Sequence, residues 1–206
     1  MSLKYAVLGV LEACPMTGYE LKRFFASSAQ WVWSAPQSQI YPLLRRLEAD
    51  GLIHGEEQAR GERLRRSYSL TEHGAADLRS WVCEIHDDPN ARDPLLLQSL
   101  FLDLAAPAAA EDILRAEMAT LRKRIDQWAA HRARLLARDT PLLRERLRRR
   151  PEQDHERIAR IKAHAFTYLI EAAQHRLDWC ARLIEIVHGR GVAPYDDAVA
   201  ADAGGR

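Results

Sequence analysis

The 206 residues include only three cysteines, Cys14, Cys83 and Cys180, an odd number with no C-x-x-C pair. That argues against a disulfide framework and against a zinc site built on paired cysteines, and a reducing cytoplasm is the simplest setting. Cys83 follows Trp81-Val82 on a predicted helix face, where a packed thiol is the default reading and a redox sensor the lesser one. An excess of one charge is also missing. The formal net charge is +1, so no global field advertises nucleic acid or a membrane, and any such role must rest on local charge. The apolar run in MSLKYAVLGVLEACP is broken by Glu12 and is too short to span a bilayer. Its basic leader is weak and no clean cleavage site follows, so it is read as part of the mature fold. The motifs G-x-S-x-G, the P-loop and G-x-G-x-x-G are absent. His155, His164, His175 and His188 share one predicted helix, but no two stand four apart as in H-E-x-x-H. Neither an enzyme nor a metal or cofactor is expected.

What is present is 47% hydrophobic residues, mostly at helical spacing. Leu3, Ala6, Val7, Val10 and Leu11 predict a helix over 3–13, ended by Cys14-Pro15. Thr17 and Glu20 fit a capping box with Met16 and Leu21 as its staple, so a second helix runs from Thr17 to about Ser28. A third covers 38–50. Short strands at 52–57 and 64–70 flank a polar turn containing Gly61, and Thr71 with Glu72 caps a fourth helix to about Ile85. Three helices followed by a hairpin fit a winged helix-turn-helix. Asp87-Asp88-Pro89-Asn90 and Asp93-Pro94 then break the pattern. The expected division is 1–88 as a winged helix-turn-helix domain, 89–190 as a helical domain, and 191–206 as a tail. The fold class is mainly α with a small β-hairpin.

Within SQIYPLLRRLEADGLI (38–53), Pro42 looks out of place in a helix. With Ser38 as N-cap, its missing N–H concerns only the cap carbonyl, so the ~3 kcal/mol interior cost is largely avoided. Ile40, Leu43, Leu44 and Leu47 then face the core. Ser38, Gln39, Tyr41, Arg45 and Arg46 face out, and Gly51 stops the helix. Hydroxyls, an amide and guanidiniums at the start of such a helix suit base edges and phosphates. The bland alternative is a solvated amphipathic face. The hairpin shifts the balance: Arg60, Arg63, Arg65 and Arg66 surround a glycine-containing turn, as a phosphate-gripping wing requires.

MTGYELKRFF, SQIYPLLRRLEADGLI and RRSYSLTEHG together resemble the PadR family of bacterial transcriptional regulators. The resemblance is close over residues 3–80 and architectural over 95–188, where the long helices look like the C-terminal dimerisation domain of the larger, virulence-activator-like subgroup. It implies a cytoplasmic homodimer acting on a palindromic double-stranded DNA operator, more often as repressor than activator, with a small aromatic effector releasing the DNA. It also implies DNA contacts from Ser38, Gln39, Tyr41, Arg45 and the wing arginines. Gln-Ser-Gln-Ile-Tyr-Pro stands where many small members carry a Gly-Ser-Leu-Tyr type segment, so base-level specificity does not carry over from them.

Beyond the break, a short helix at 95–104 precedes two long ones, Ala108 to about Arg138 and Glu152 to His188. The first has an apolar seam of Leu114, Met118, Leu121, Ile125, Trp128 and Leu135, interrupted by Arg132. The second has Ile158, Ile161, Ala165, Tyr168 or Leu169, Ala172, Trp179, Leu183 and Ile186 or Val187. Such seams find a partner helix within or between chains. Trp31 and Trp33 either line an effector pocket or plug the core, and Trp128, Tyr168 and Trp179 are either seam or ligand-stacking residues. Arg144, Arg146, Arg148, Arg149 and Arg150 form a basic run read as a solvated loop within reach of DNA flanks. The competing reading is an oligomeric helical adaptor whose winged helix binds protein.

Overall fold

The chain is represented by a computed structural model that describes residues 3–27, 37–60, 63–86 and 93–190. Helix α1 (Leu3–Leu11) buries Val7, Leu8, Val10 and Leu11. A two-residue strand β1 (Met16–Thr17) leads into α2 (Gly18–Ser27). The capping box is formed as the spacing predicts: Thr17 Oγ1 accepts from the Glu20 amide at 3.2 Å, and Glu20 Oε2 accepts from the Thr17 amide at 2.8 Å. Met16 and Leu21 join one apolar cluster with α1, α3 and the sheet.

Helix α3 (Ile40–Ala49) starts later than Ser38, behind a 3₁₀ turn over Gln37–Gln39, and its N-cap is Gln39 with no side-chain bond. The reason is Pro42. It has no N–H for the Ser38 carbonyl, so the α-helical ladder opens only where that proline falls inside the first, unbonded turn. At the other end Gly51 adopts φ 70°, the Leu52 amide donates to Leu47 O at 2.9 Å, and the Gly51 amide to Glu48 O at 3.0 Å. This is a Schellman closure, and the left-handed residue in it is a glycine.

Strands β2 (Ile53–Arg60) and β3 (Arg63–Leu70) pair antiparallel from Ile53↔Leu70 to Arg60↔Arg63, a longer hairpin than the sequence suggested. β1 adds to the other edge of β3 through Met16↔Tyr68 and Thr17↔Ser67, giving the sheet order β1-β3-β2. Helix α4 (Glu72–Val82) is capped by Thr71, whose Oγ1 accepts from Gly74 N and donates to Gly51 O at 2.7 Å. A Cβ on Gly74 would stand 2.0 Å from the Leu52 carbonyl oxygen, so only glycine lets α4 approach the helix–strand junction this closely. Cys83, expected to pack, is exposed, because α4 ends one residue before it.

Helices α5 (Pro94–Ser99), α6 (Pro107–Leu136), α7 (Pro141–Leu147) and α8 (Glu152–Val187) follow, with a 3₁₀ turn at Leu102–Leu104 between α5 and α6. Two compact units result: Met1–Asn90 with Ala133–Ala163, and Ala91–Arg132 with His164–Arg206. In the second, Leu95, Leu102, Ala110, Leu114, Cys180 and Ile184 form a buried cluster. Asp93 caps α5, and both its carboxylate oxygens meet the Arg176 guanidinium, which also donates to Glu117 at 2.8 Å. This pairing pulls the Asp93 carboxyl down to about 2, against its burial. Arg132, which interrupts the α6 seam, donates to Thr167 Oγ1 at 3.2 Å.

The α8 seam is corrected by the structure. The buried positions are Ala159, Ala163, Phe166, Ala173, Leu177, Cys180 and Ile184, whereas the expected Ile161, Ala165, Tyr168, Ala172 and Ile186 are exposed. The helix carries two apolar stripes, and the one rich in small residues, which allows close backbone approach, is the one covered.

The basic run is corrected in part. Residues 141–147 are helical; Arg146 pairs with Glu12 Oε2 and donates to Gly9 O, both at 2.6 Å. Arg150 reaches the other oxygen of Glu12, Arg144 pairs with Asp139, and Arg148 with Glu145. Arg146 and Arg150 thus tie this segment to Gly9 and Glu12 within the first unit, while Arg144, Arg148 and Arg149 remain exposed as expected of a solvated run. Lys162 lies beside them, and burial, reinforced by Arg146, holds its ammonium down to about 8. No helix among the described residues is long and apolar enough to cross a membrane.

Candidate nucleic-acid interface

The outward face of α3 has the expected composition. Ser38, Gln39, Tyr41, Arg45 and Arg46 are exposed, while Ile40, Leu44 and Leu47 are buried. Arg46 makes a loose 3.7 Å pair with Asp50. Tyr41 is held by packing: a Cβ on Gly18 would lie 2.6 Å from Tyr41 Cε1, so the bare backbone at the start of α2 is what accommodates the ring. Tyr41, Tyr19, Tyr68, Arg65 and Arg66, with Thr17 and Gly18, line an open recess of about 300 Å³. Three elements converge here: the first turn of α2, the first turn of α3, and the middle of β3.

The wing is braced at this recess. Arg66 Nη2 donates to Glu48 Oε1 at 2.6 Å, and the Gly55 amide donates to the same oxygen at 3.0 Å. The Arg66 hydrogen bond lowers the Glu48 carboxyl and raises the guanidinium in return. Burial, aided by the Glu48 charge, raises the Tyr68 phenol, so it stays a hydroxyl donor at neutral pH. Hydroxyls and fixed guanidiniums around one concavity are suited to holding phosphate oxygens. Arg60 and Arg63 pair in the ladder at the far end of the hairpin, but their side chains lie outside the described set.

The model of the transcriptional regulator PadR-like family matches residues 7–80. Residues 7–80 form a PadR-like family domain. The chain is 28% identical over 142 residues to the negative transcriptional regulator PadR of Bacillus subtilis, spanning 68% of this chain and 78% of that protein. The crystal structure of B. subtilis PadR in complex with operator DNA superposes with a TM-score of 0.71 at 22% identity, covering 90% of this chain and 98% of that one. PadR in complex with p-coumaric acid gives 0.67 over 90% of this chain and 98% of that one, at the same identity. The Vibrio cholerae virulence activator AphA gives 0.63 at 20% identity, covering 91% of this chain and 99% of that one. Outside that domain the likeness is one of fold: the chain shares the winged helix and the long C-terminal helices of these regulators.

Of the aromatic residues considered for an effector, Trp128, Tyr168 and Trp179 lie within the described residues. Trp31 and Trp33 lie outside the described residues. Trp128 is 8% exposed, and its indole N–H has no acceptor among the described residues. Trp179 packs at the Leu114–Cys180 cluster with the Arg176 guanidinium 5.9 Å from its ring, and Tyr168 is 70% exposed. Trp128 stands fourteen residues beyond Leu114 on α6, roughly 21 Å along the axis. Among the described residues there is no group of three His, Cys, Asp or Glu placed to hold a metal.

Tyr19, Tyr68 and Glu48 were missed in the sequence reading. The alternation in R-R-S-Y-S-L, which sets Arg66 and Tyr68 on one face of β3, was the signal for Tyr68. Tyr19 was visible only as part of GYEL.

Proposed function

We propose that this PadR-type regulator binds a palindromic DNA operator in the cytoplasm as a homodimer, acting as a repressor that a small aromatic effector releases. Residues 1–88 supply the DNA contacts through Ser38, Gln39, Tyr41, Arg45, Arg46 and the wing arginines, 89–190 the dimer and effector functions, and 191–206 a tail. The recess uniting Tyr41 with Arg65 and Arg66 is the observation that carries the DNA reading. Dimerisation is supported by apolar side chains left uncovered in the second unit, among them Leu97, Leu100, Phe101, Leu104 and Tyr168. The buried, unaccepted indole N–H of Trp128 is where an effector's oxygen would be recognised. The similarity to a regulator solved with operator DNA and with p-coumaric acid agrees with both parts.

The decisive experiment is selection of DNA from a genomic pool by the purified chain, with and without aromatic acids, alongside sedimentation. Recovery of a palindromic site by a dimer, lost on addition of an effector, is expected. Recovery of no sequence above scrambled DNA would overturn the reading. Arg65→Ala should weaken binding evenly across sequences and flatten the salt slope by about one. Tyr41→Ala should cost roughly 1–3 kcal/mol, and only on the selected site.

A further inference from the structure

Glu48 is a carboxylate placed where a DNA-binding surface would do better without one. It lies in the last turn of α3, half-buried, and its Oε1 accepts both the Gly55 amide of β2 and Arg66 Nη2 of β3. One oxygen therefore joins the helix to both strands of the wing. The junction has no spare room: a Cβ on Gly55 would stand 2.6 Å from that oxygen, 2.5 Å from Arg66 Nε and 3.1 Å from Tyr68. Arg66 and Tyr68 in turn line the recess beside Tyr41. A negative charge at this place repels phosphates, so simple electrostatics favours its removal. The Arg66 side chain is 46% exposed, and exposed ion pairs add little to stability, so stability does not explain the pair either.

We propose that Glu48 is a positioning residue for operator recognition. It sets the angle between recognition helix and wing, and it aims the Arg66 guanidinium into the recess instead of leaving it free to follow the nearest phosphate. Helix and wing then address the groove and the adjoining backbone as one rigid piece, and discrimination between sequences depends on that rigidity. Its neighbour Arg65, with no carboxylate within 4 Å among the described residues, is the adaptable phosphate contact. This inference rests on the DNA-binding reading above.

The test compares wild type, E48Q, R66Q, the double variant E48Q/R66Q and G55A in the full chain, titrated with the selected DNA and with scrambled DNA at several salt concentrations. E48Q should lower the ratio of selected to scrambled affinity about tenfold, while scrambled binding stays the same or tightens. In the double variant the two losses should not multiply, because both substitutions break the same link. G55A should reduce the ratio with no change in net charge and no change in salt slope, which separates geometry from charge. An E48Q and a G55A that discriminate as well as wild type would overturn the proposal, as would multiplicative losses in the double variant. A wild-type protein that selects no DNA would instead bring down the regulator reading itself.

Discussion

In the PadR-like domain nearly every change of direction hangs on one residue, whereas the helical unit of 91–132 and 164–190 is held by a repeated pattern. The domain needs Thr17 and Glu20 to open α2, Gly51 to close α3, Gly74 to let α4 approach, and Gly18 to receive Tyr41. Along α6 the work is spread over Leu114, Leu121 and Trp128, a heptad apart and all buried. Repeated packing tolerates local change and leaves a second apolar stripe on α8 exposed. Single-residue junctions tolerate little, and they hold the recognition surface still.

The contrast can be broken most severely at Gly74. Gly74→Val would drive a side chain into the Leu52 carbonyl, and a cost of about 4 kcal/mol or more is expected. Hydrogen exchange over 40–70 should lose protection while 110–130 keeps its own. Next comes the polar lock of the helical unit. Arg176→Met leaves Asp93 and Glu117 half-buried without their guanidinium and should cost about 1–3 kcal/mol. The Asp93 carboxyl is depressed from 3.8 to about 2, so its contribution is complete above pH 3.8 and is lost as pH falls through 2. Urea unfolding between pH 2 and pH 6 should show that acid limb in wild type and not in the variant.

Lys162→Met works in the opposite direction. The folded state holds this ammonium at a penalty, its pKa lowered from 10.5 to about 8. Below pH 8 the penalty is fully present, and between 8 and 10.5 the unfolded chain binds the extra proton, so wild-type stability should rise with pH there. The variant should gain about 1–2 kcal/mol at pH 7 and lose that rise. The smallest effect is expected at Gly9, where an added Cβ meets nothing within 4 Å. Gly9→Ala in α1 should stabilise by about 0.5–1 kcal/mol, in contrast to the Gly74 substitution in the same unit.

Much of the head was legible because its signals are local. The Thr17–Glu20 box, the Gly51 stop and the outward set on α3 each follow from residues within one or two turns of each other. Helix α7 was not legible, since the arginines of 144–150 read as a polar loop until Glu12 and Gly9 O, more than a hundred residues away, supplied their partners. Glu48 was not legible as part of the site, because its partners lie in both strands of the wing and are found only once the hairpin is docked.

The sequence by itself determined the kind of most main elements and the face that α3 turns outward, through periodicity and backbone chemistry acting over a few residues. Tertiary structure alone decided which of two apolar stripes on α8 is covered, that residues 133–163 fold with the head, and that one carboxylate oxygen ties the wing to the recognition helix. Those choices rest on close approach and charge pairing between distant segments. Spacing along the chain carries no record of either.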